Sequence, residues 1–157
     1  MVAARGDGVV SPGVDLLDLP TRLYSICALL LVLKMLLLAA YTSRIRMSKH
    51  VYASPEDYTF QGKPATSRTD LEVERARRAH RNDLENILPF LAIGPIYLQT
   101  APSASGAWIC FVGFTTARIL HTLFYVREAM PHRTFAYAAG QLVTFWMIVS
   151  SGWALLR

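Results

Sequence analysis

The chain has 157 residues, of which 53% are hydrophobic and 17% charged, with a formal charge of +5. That charge content lies below the soluble norm of about 25%, and the charges are bunched, which excludes an ordinary water-soluble globule. Nucleic acid, the usual partner of a basic chain, is not expected, because membrane topology accounts for the basic residues.

In chain order, Met1 to Arg22 contains Pro12 and Pro20 and has no basic stretch abutting a short apolar core, so no cleaved secretory signal is expected. Residues 1–20 are read as a lumenal extension and residues 21–157 as one membrane domain. A first helix is expected over about 21–46, with Pro20 suited to its first turn. From Leu23 to Ala40 it is apolar except for Tyr24, Ser25 and Lys34. A cytosolic loop follows over about 47–69, rich in Pro, Gly, Ser and Thr, and carries Ala53-Ser54-Pro55-Glu56-Asp57.

The second helix is expected over about 70–99, capped by Thr69 or Asp70, with a kink from Pro89 and Pro95. Turns at Pro102 and at Met130-Pro131 bound a third helix over about 105–127 and open a fourth over about 132–156. Each segment is near the 20 or so residues that a span requires. The fold class expected is therefore all-α, an integral membrane bundle of four transmembrane helices. Cys27 and Cys110 both fall in spans and read as small apolar packing groups, not a disulfide.

The basic residues set the orientation. Arg44, Arg46, Lys49, Lys63, Arg68, Arg75, Arg77, Arg78, Arg81, Arg127 and Arg133 lie in or beside two loops on one side, whereas Gln99 to Gly106 has no cation. The positive-inside rule puts both basic loops in the cytosol and both termini in the lumen.

The segment most telling of function is Val73 to Phe90, VERARRAHRNDLENILPF, a charge cluster that runs straight into an apolar span. At about 100° per residue, Arg75, Arg78, Asn82 and Glu85 share one stripe of that helix. Arg118, His121 and Tyr125 share a face of the third helix, and Arg133, Tyr137 and Gln141 a face of the fourth. Polar stripes entering a bilayer are costly unless something polar meets them.

One reading pairs these groups internally, Arg78 or Arg118 with Glu85 and Lys34 with a carboxylate or a helix carbonyl. The other has the excess of cations hold an anionic, multi-carboxylate ligand at the cytosolic rim, since arginine forks suit carboxylates. One deep glutamate cannot neutralise four arginines, which favours the ligand. No metal site is expected, because neither His80 nor His121 belongs to a recognised ligand pattern with a second His, Cys or carboxylate at i+3 or i+4. No nucleophile elbow, P-loop or dinucleotide fingerprint is present, so any catalysis would activate a nucleophile carried by the ligand.

The Val73 to Phe90 run, the Ala53 to Asp57 run, Leu33-Lys34-Met35, Ala117 to Thr122 and the Arg133 to Gln141 segment together resemble the MAPEG family, the membrane-associated proteins in eicosanoid and glutathione metabolism. The resemblance covers about Leu23 to the C-terminus. It implies a homotrimer of four-helix subunits with glutathione, as co-substrate, bound between neighbours near the cytosolic face. The glutathione-site positions carried over are Arg46, Arg75, Arg78, Asn82, Glu85, Arg118, His121, Tyr125, Arg133 and Gln141. The catalytic positions carried over are Arg133, Thr134, Asp57 and Tyr137.

The activity implied is glutathione transfer, with glutathione peroxidase activity, on a lipophilic electrophile or lipid hydroperoxide that arrives through the membrane lipid. Prostaglandin E synthase activity is the alternative, and a non-enzymatic lipid-presenting role the further one. The endoplasmic reticulum is the expected membrane, with the mitochondrial outer membrane as a second location. Leu84-Glu85-Asn86-Ile87 and Ala92-Ile93-Gly94 lean toward the transferase branch. Two positions depart from the patterns: Tyr58 stands where transferases of this kind have a modifiable cysteine, and Thr134 where the synthase has a serine.

Overall fold

The computed structural model describes residues 18–62 and 69–157. Among these, every regular element is helical: α1 (Leu19–Ser48), α2 (Pro55–Phe60), α3 (Leu71–Gln99), α4 (Ala104–Val126) and α5 (His132–Leu155). The four expected long helices are α1, α3, α4 and α5, and α2 is a short helix inside the loop between α1 and α3. Most of the expected extension, and Lys63 and Arg68 of the loop, lie outside the described residues.

Helices α1, α4 and α5, of 30, 23 and 24 residues, are long and apolar enough to cross a membrane. Helix α3, with 29 residues, is as long as α1 but divided: charged to about Glu85 and apolar from Ile87 onward. At 1.5 Å per residue it reaches about 43 Å, enough to start in the headgroup region and still cross. The chain is an all-α membrane protein.

Local chemistry explains the ends. Asp18 caps α1 by accepting from the Thr21 amide at 3.3 Å, and Pro20 sits in the first turn, where a missing N–H costs nothing. Asp70 caps α3, accepting from the Glu72 and Val73 amides at 2.9 and 3.2 Å, and Glu72 and Glu74 suit the positive end of the helix. Ser54 and Asp57 form a capping box on α2. Helices α3 and α4 each run into a left-handed residue just past the C-cap, Ala101 at φ 51° and Glu128 at φ 60°. Near its start α4 contains one π-helical turn, Trp108–Val112.

The two prolines inside α3 remove backbone donors. Pro95 leaves the Leu91 carbonyl without its helical partner, and the Tyr24 hydroxyl of α1 donates to it at 2.9 Å. The Tyr24 ring occupies the place that a Cβ at position 94 would take, so Gly94 is what lets α1 approach α3 there.

Around this contact lies the main apolar core: Tyr24, Cys27 and Leu31 of α1, Phe90 and Tyr97 of α3, Phe111 and Phe114 of α4, and Met147 of α5. Phe90 and Phe114 stack in parallel with ring centroids 4.1 Å apart. Cys27 and Cys110 are buried here as free thiols. A smaller cluster, Ile45, Val51, Val73 and Ala76, ties the C-terminal end of α1 to the N-terminal end of α3.

Candidate functional site

Between the two apolar clusters the buried face of α3 turns polar. Along that face come Val73, Ala76, Ala79, Asp83, Ile87 and Phe90, so a carboxylate takes the place of an apolar side chain at helical spacing. Asp83 is fully buried and faces two cations from two other helices. Lys34 Nζ of α1 lies 2.5 Å from its Oδ2, and Arg118 Nη2 of α4 lies 3.4 Å from its Oδ1. The Thr122 hydroxyl adds contacts of 3.4 and 3.5 Å.

Glu85, expected to be the deep acid, is exposed and in no ion pair among the described residues. The internal pairing expected for Arg118 and Lys34 is therefore real but runs through Asp83. Glu85 lies two positions further along α3, which turns it through about 200° to the opposite face.

Arg118 is the centre of the site. Its side chain is completely buried, and Nη2 is shared among Asn82 Oδ1, Asp83 Oδ1 and His121 Nδ1, the last at 3.3 Å. Its other two nitrogens, Nε and Nη1, have no hydrogen-bond partner among the described residues. That edge lies against α5 at Gly140, where a Cβ would sit 3.4 Å from Arg118 Cδ and 3.9 Å from Nη1. A buried cation with free donors is expensive unless an acceptor meets it.

From Arg118 a chain of ring contacts leads to the N-terminal end of α5. The His121 ring lies 5.6 Å from that of Tyr125 and 6.0 Å from that of Tyr137. The Arg133 guanidinium lies over the Tyr125 ring, 4.6 Å from its centroid, and the Gln141 amide donates to the Tyr137 hydroxyl at 2.8 Å. Asn82, Arg118, His121, Tyr125, Arg133, Tyr137 and Gln141 thus form one connected group on three helices, as the stripes foresaw.

The remaining candidates stand apart from it. Arg75 pairs with Glu128 at 2.6 Å. Arg78 is exposed and donates through Nε to the Glu74 carbonyl at 3.2 Å, not to an acid. Arg46 donates through Nε to the Val51 carbonyl at 3.3 Å, tying α1 to the loop. Asp57 accepts from the Ala53 and Ser54 amides, both at 3.2 Å, so its carboxylate serves as a cap. Thr134 is exposed, and its hydroxyl faces Met130 Sδ at 3.8 Å.

At the start of α3, Lys49 reaches Glu72 at 3.1 Å and Asp70 at 3.8 Å. The hydrogen bond to Glu72, with Asp70 beside it, raises the Lys49 ammonium above its usual range. Among the described residues, no group of three or more His, Cys, Asp or Glu is placed to hold a metal.

Sequence reasoning passed over Asp83 and Thr122. A signal was there: Asp83 is the lone carboxylate on the apolar face of α3 and Lys34 the lone cation in the apolar run of α1 from Leu23 to Ala40, and two isolated opposite charges in neighbouring spans call for each other.

With the site described, comparison with known proteins is decisive. The MAPEG family model matches residues 24–153. The chain belongs to the MAPEG family. Among its relatives, human prostaglandin E synthase is 38% identical over 135 residues, covering 85% of this chain and 89% of that protein. Rat microsomal glutathione S-transferase 1 is 42% identical over 135 residues, 83% of this chain and 84% of that protein. Human microsomal glutathione S-transferase 1 is 42% identical over 125 residues, 76% of this chain and 81% of that protein.

Proposed function

We propose that this MAPEG protein is a glutathione transferase of the endoplasmic reticulum membrane, and of the mitochondrial outer membrane, with glutathione peroxidase activity. The observation that carries the reading is surplus positive charge. Lys34 and Arg118 share the one carboxylate of Asp83, and among the described residues Arg133 is in no ion pair and two donors of Arg118 are unpartnered. A tripeptide with two carboxylates supplies the acceptors that this arrangement calls for. Glu85, Arg78 and Gln141 are exposed on the subunit surface, which supports a homotrimer in which a neighbouring copy completes the site. The glutathione carboxylates engage arginines, and Glu85 takes the ammonium.

Catalysis needs the thiolate, since a thiol of pKa about 8.5 is mostly protonated at neutral pH and nearby cations lower that value. Arg133, held over the Tyr125 ring at the cytosolic end of α5, stabilises the thiolate, with the Thr134 or Tyr137 hydroxyl as an added donor. The sulfur then attacks an aryl halide carbon and halide leaves, or it attacks a hydroperoxide oxygen and the alcohol leaves. Arg133→Ala is expected to abolish the thiolate absorbance that appears on glutathione binding while binding stays measurable. An unchanged absorbance rejects the role.

A second reading, prostaglandin E synthase activity, is supported by the likeness to human prostaglandin E synthase over most of the chain, and Tyr137 and Gln141, two of the positions carried over from the family, are joined by a hydrogen bond. Turnover of an aryl halide by the detergent-solubilised protein supports the transferase, and turnover of a prostaglandin endoperoxide alone supports the synthase. Failure of glutathione retention and of both turnovers leaves a lipid-presenting protein.

A further inference from the structure

On the side of the bundle formed by α1 and α4 runs a groove of about 580 Å³. Its walls are aliphatic, chiefly Leu33 and Leu37 of α1 and Ile119 and Leu123 of α4. Lys34 contributes its methylene stem, because its ammonium is turned inward onto Asp83 at 2.5 Å. From Leu30 to Tyr41 the groove follows about 16 Å of helix axis, close to half the hydrocarbon thickness of a bilayer, the depth reached by a single acyl chain.

The cytosolic mouth of the groove is polar. Tyr41 and Arg127 line it there, and Tyr41 and Val126 also line a second cavity of about 240 Å³ beside Glu72 and Arg75. The charges around this mouth are largely matched: Lys49 with Glu72 and Asp70, and Arg75 with Glu128. Arg127 is exposed and in no ion pair among the described residues. One cation without a partner, at the membrane end of an apolar slot, suits a monoanionic head on a single chain. A phosphoinositide head would bring several charges toward Glu72 and Glu128 and, among the described residues lining the mouth, find only Arg127 free of an ion pair.

We propose that the α1–α4 groove binds a free long-chain fatty acid from the bilayer, its carboxylate on Arg127 and the Tyr41 hydroxyl and its chain along Leu37 and Leu123. The slot itself confers little preference, because lipid tails are as apolar as its leucines. Selectivity comes from the carboxylate and Arg127.

The test uses the full chain in phosphatidylcholine nanodiscs, without glutathione, and palmitic acid bearing a mid-chain diazirine. Photolabelling should map to α1 and α4 residues of the groove and be competed by palmitate but not by hexadecanol. Arg127→Gln, a change at an exposed position, should lower labelling about tenfold, the loss of a charge-assisted hydrogen bond. Leu37→Trp should abolish it by filling the slot, with gel filtration confirming the folded particle. Equal competition by hexadecanol, wild-type labelling in Arg127→Gln, or labels elsewhere on the protein would overturn the proposal. So would efficient disulfide cross-linking between copies of a Leu37→Cys variant, which would mean that a second chain covers the groove. Because no glutathione is present, none of these outcomes bears on the transferase reading.

Discussion

The two halves of the bundle solve opposite problems. Toward the α3–α4 turn, helices meet through aromatic rings and small groups: Phe90 on Phe114, and Tyr24 over Gly94. Toward the loop between α1 and α3 they meet through one carboxylate and two cations, and beyond these lie histidine, tyrosine and a further arginine. In a membrane, apolar surface alone does not drive helices together, so the first half depends on close packing and the second on satisfied polar groups. Among the described residues the first half leaves one buried hydroxyl, Ser151 Oγ, without a partner, whereas the second leaves two donors of a charged group, Arg118. Stability can rest in one half while binding is left to the other.

Removing the hub of the polar half should have the largest effect. Asp83→Ala would leave Lys34 and Arg118 without a counter-charge in the bundle interior, and it is expected to cost about 3–5 kcal/mol. Thermal unfolding in detergent checks this; a variant as stable as the parent would mean that Asp83 does not organise the helices. Next comes a packing change in the other half. Gly94→Ala drives a Cβ into the Tyr24 ring and should cost about 1–3 kcal/mol. Glutathione affinity should stay near normal in whatever fraction remains folded, and a parallel loss of affinity would show that the halves are coupled.

Smaller changes sharpen the contrast. Tyr24→Phe removes the bond to the carbonyl freed by Pro95 and is expected to lower stability by about 0.6–1 kcal/mol. Glu128→Gln, which breaks the exposed pair with Arg75, should cost less than about 1 kcal/mol, and the cost should shrink further in high salt. A larger, salt-insensitive loss would indicate that this pair is buried by a neighbouring copy.

Much of this molecule can be read from the chain alone. The number and ends of the long helices follow from apolar runs of membrane length, from Asp70 ahead of a charged first turn, and from proline at the turns. The polar stripes of α4 and α5 were also legible, since residues three or four apart must share a face wherever the helix packs. Asp57 shows the limit at the local level. Its run marks a family motif, yet the backbone around it folds into a short helix that uses the carboxylate as a cap.

Which acid answers which cation was decided only by tertiary structure. Arg75, Arg78, Asn82 and Glu85 do lie along one stripe of α3, but the stripe turned inward is the one through Ala79, Asp83 and Ile87. Helical periodicity ranks residues by angle and leaves open which angle meets the neighbouring helices. That choice falls to packing, because the small and aromatic side chains on one face let α1 and α4 come close enough for Lys34 and Arg118 to reach a single carboxylate.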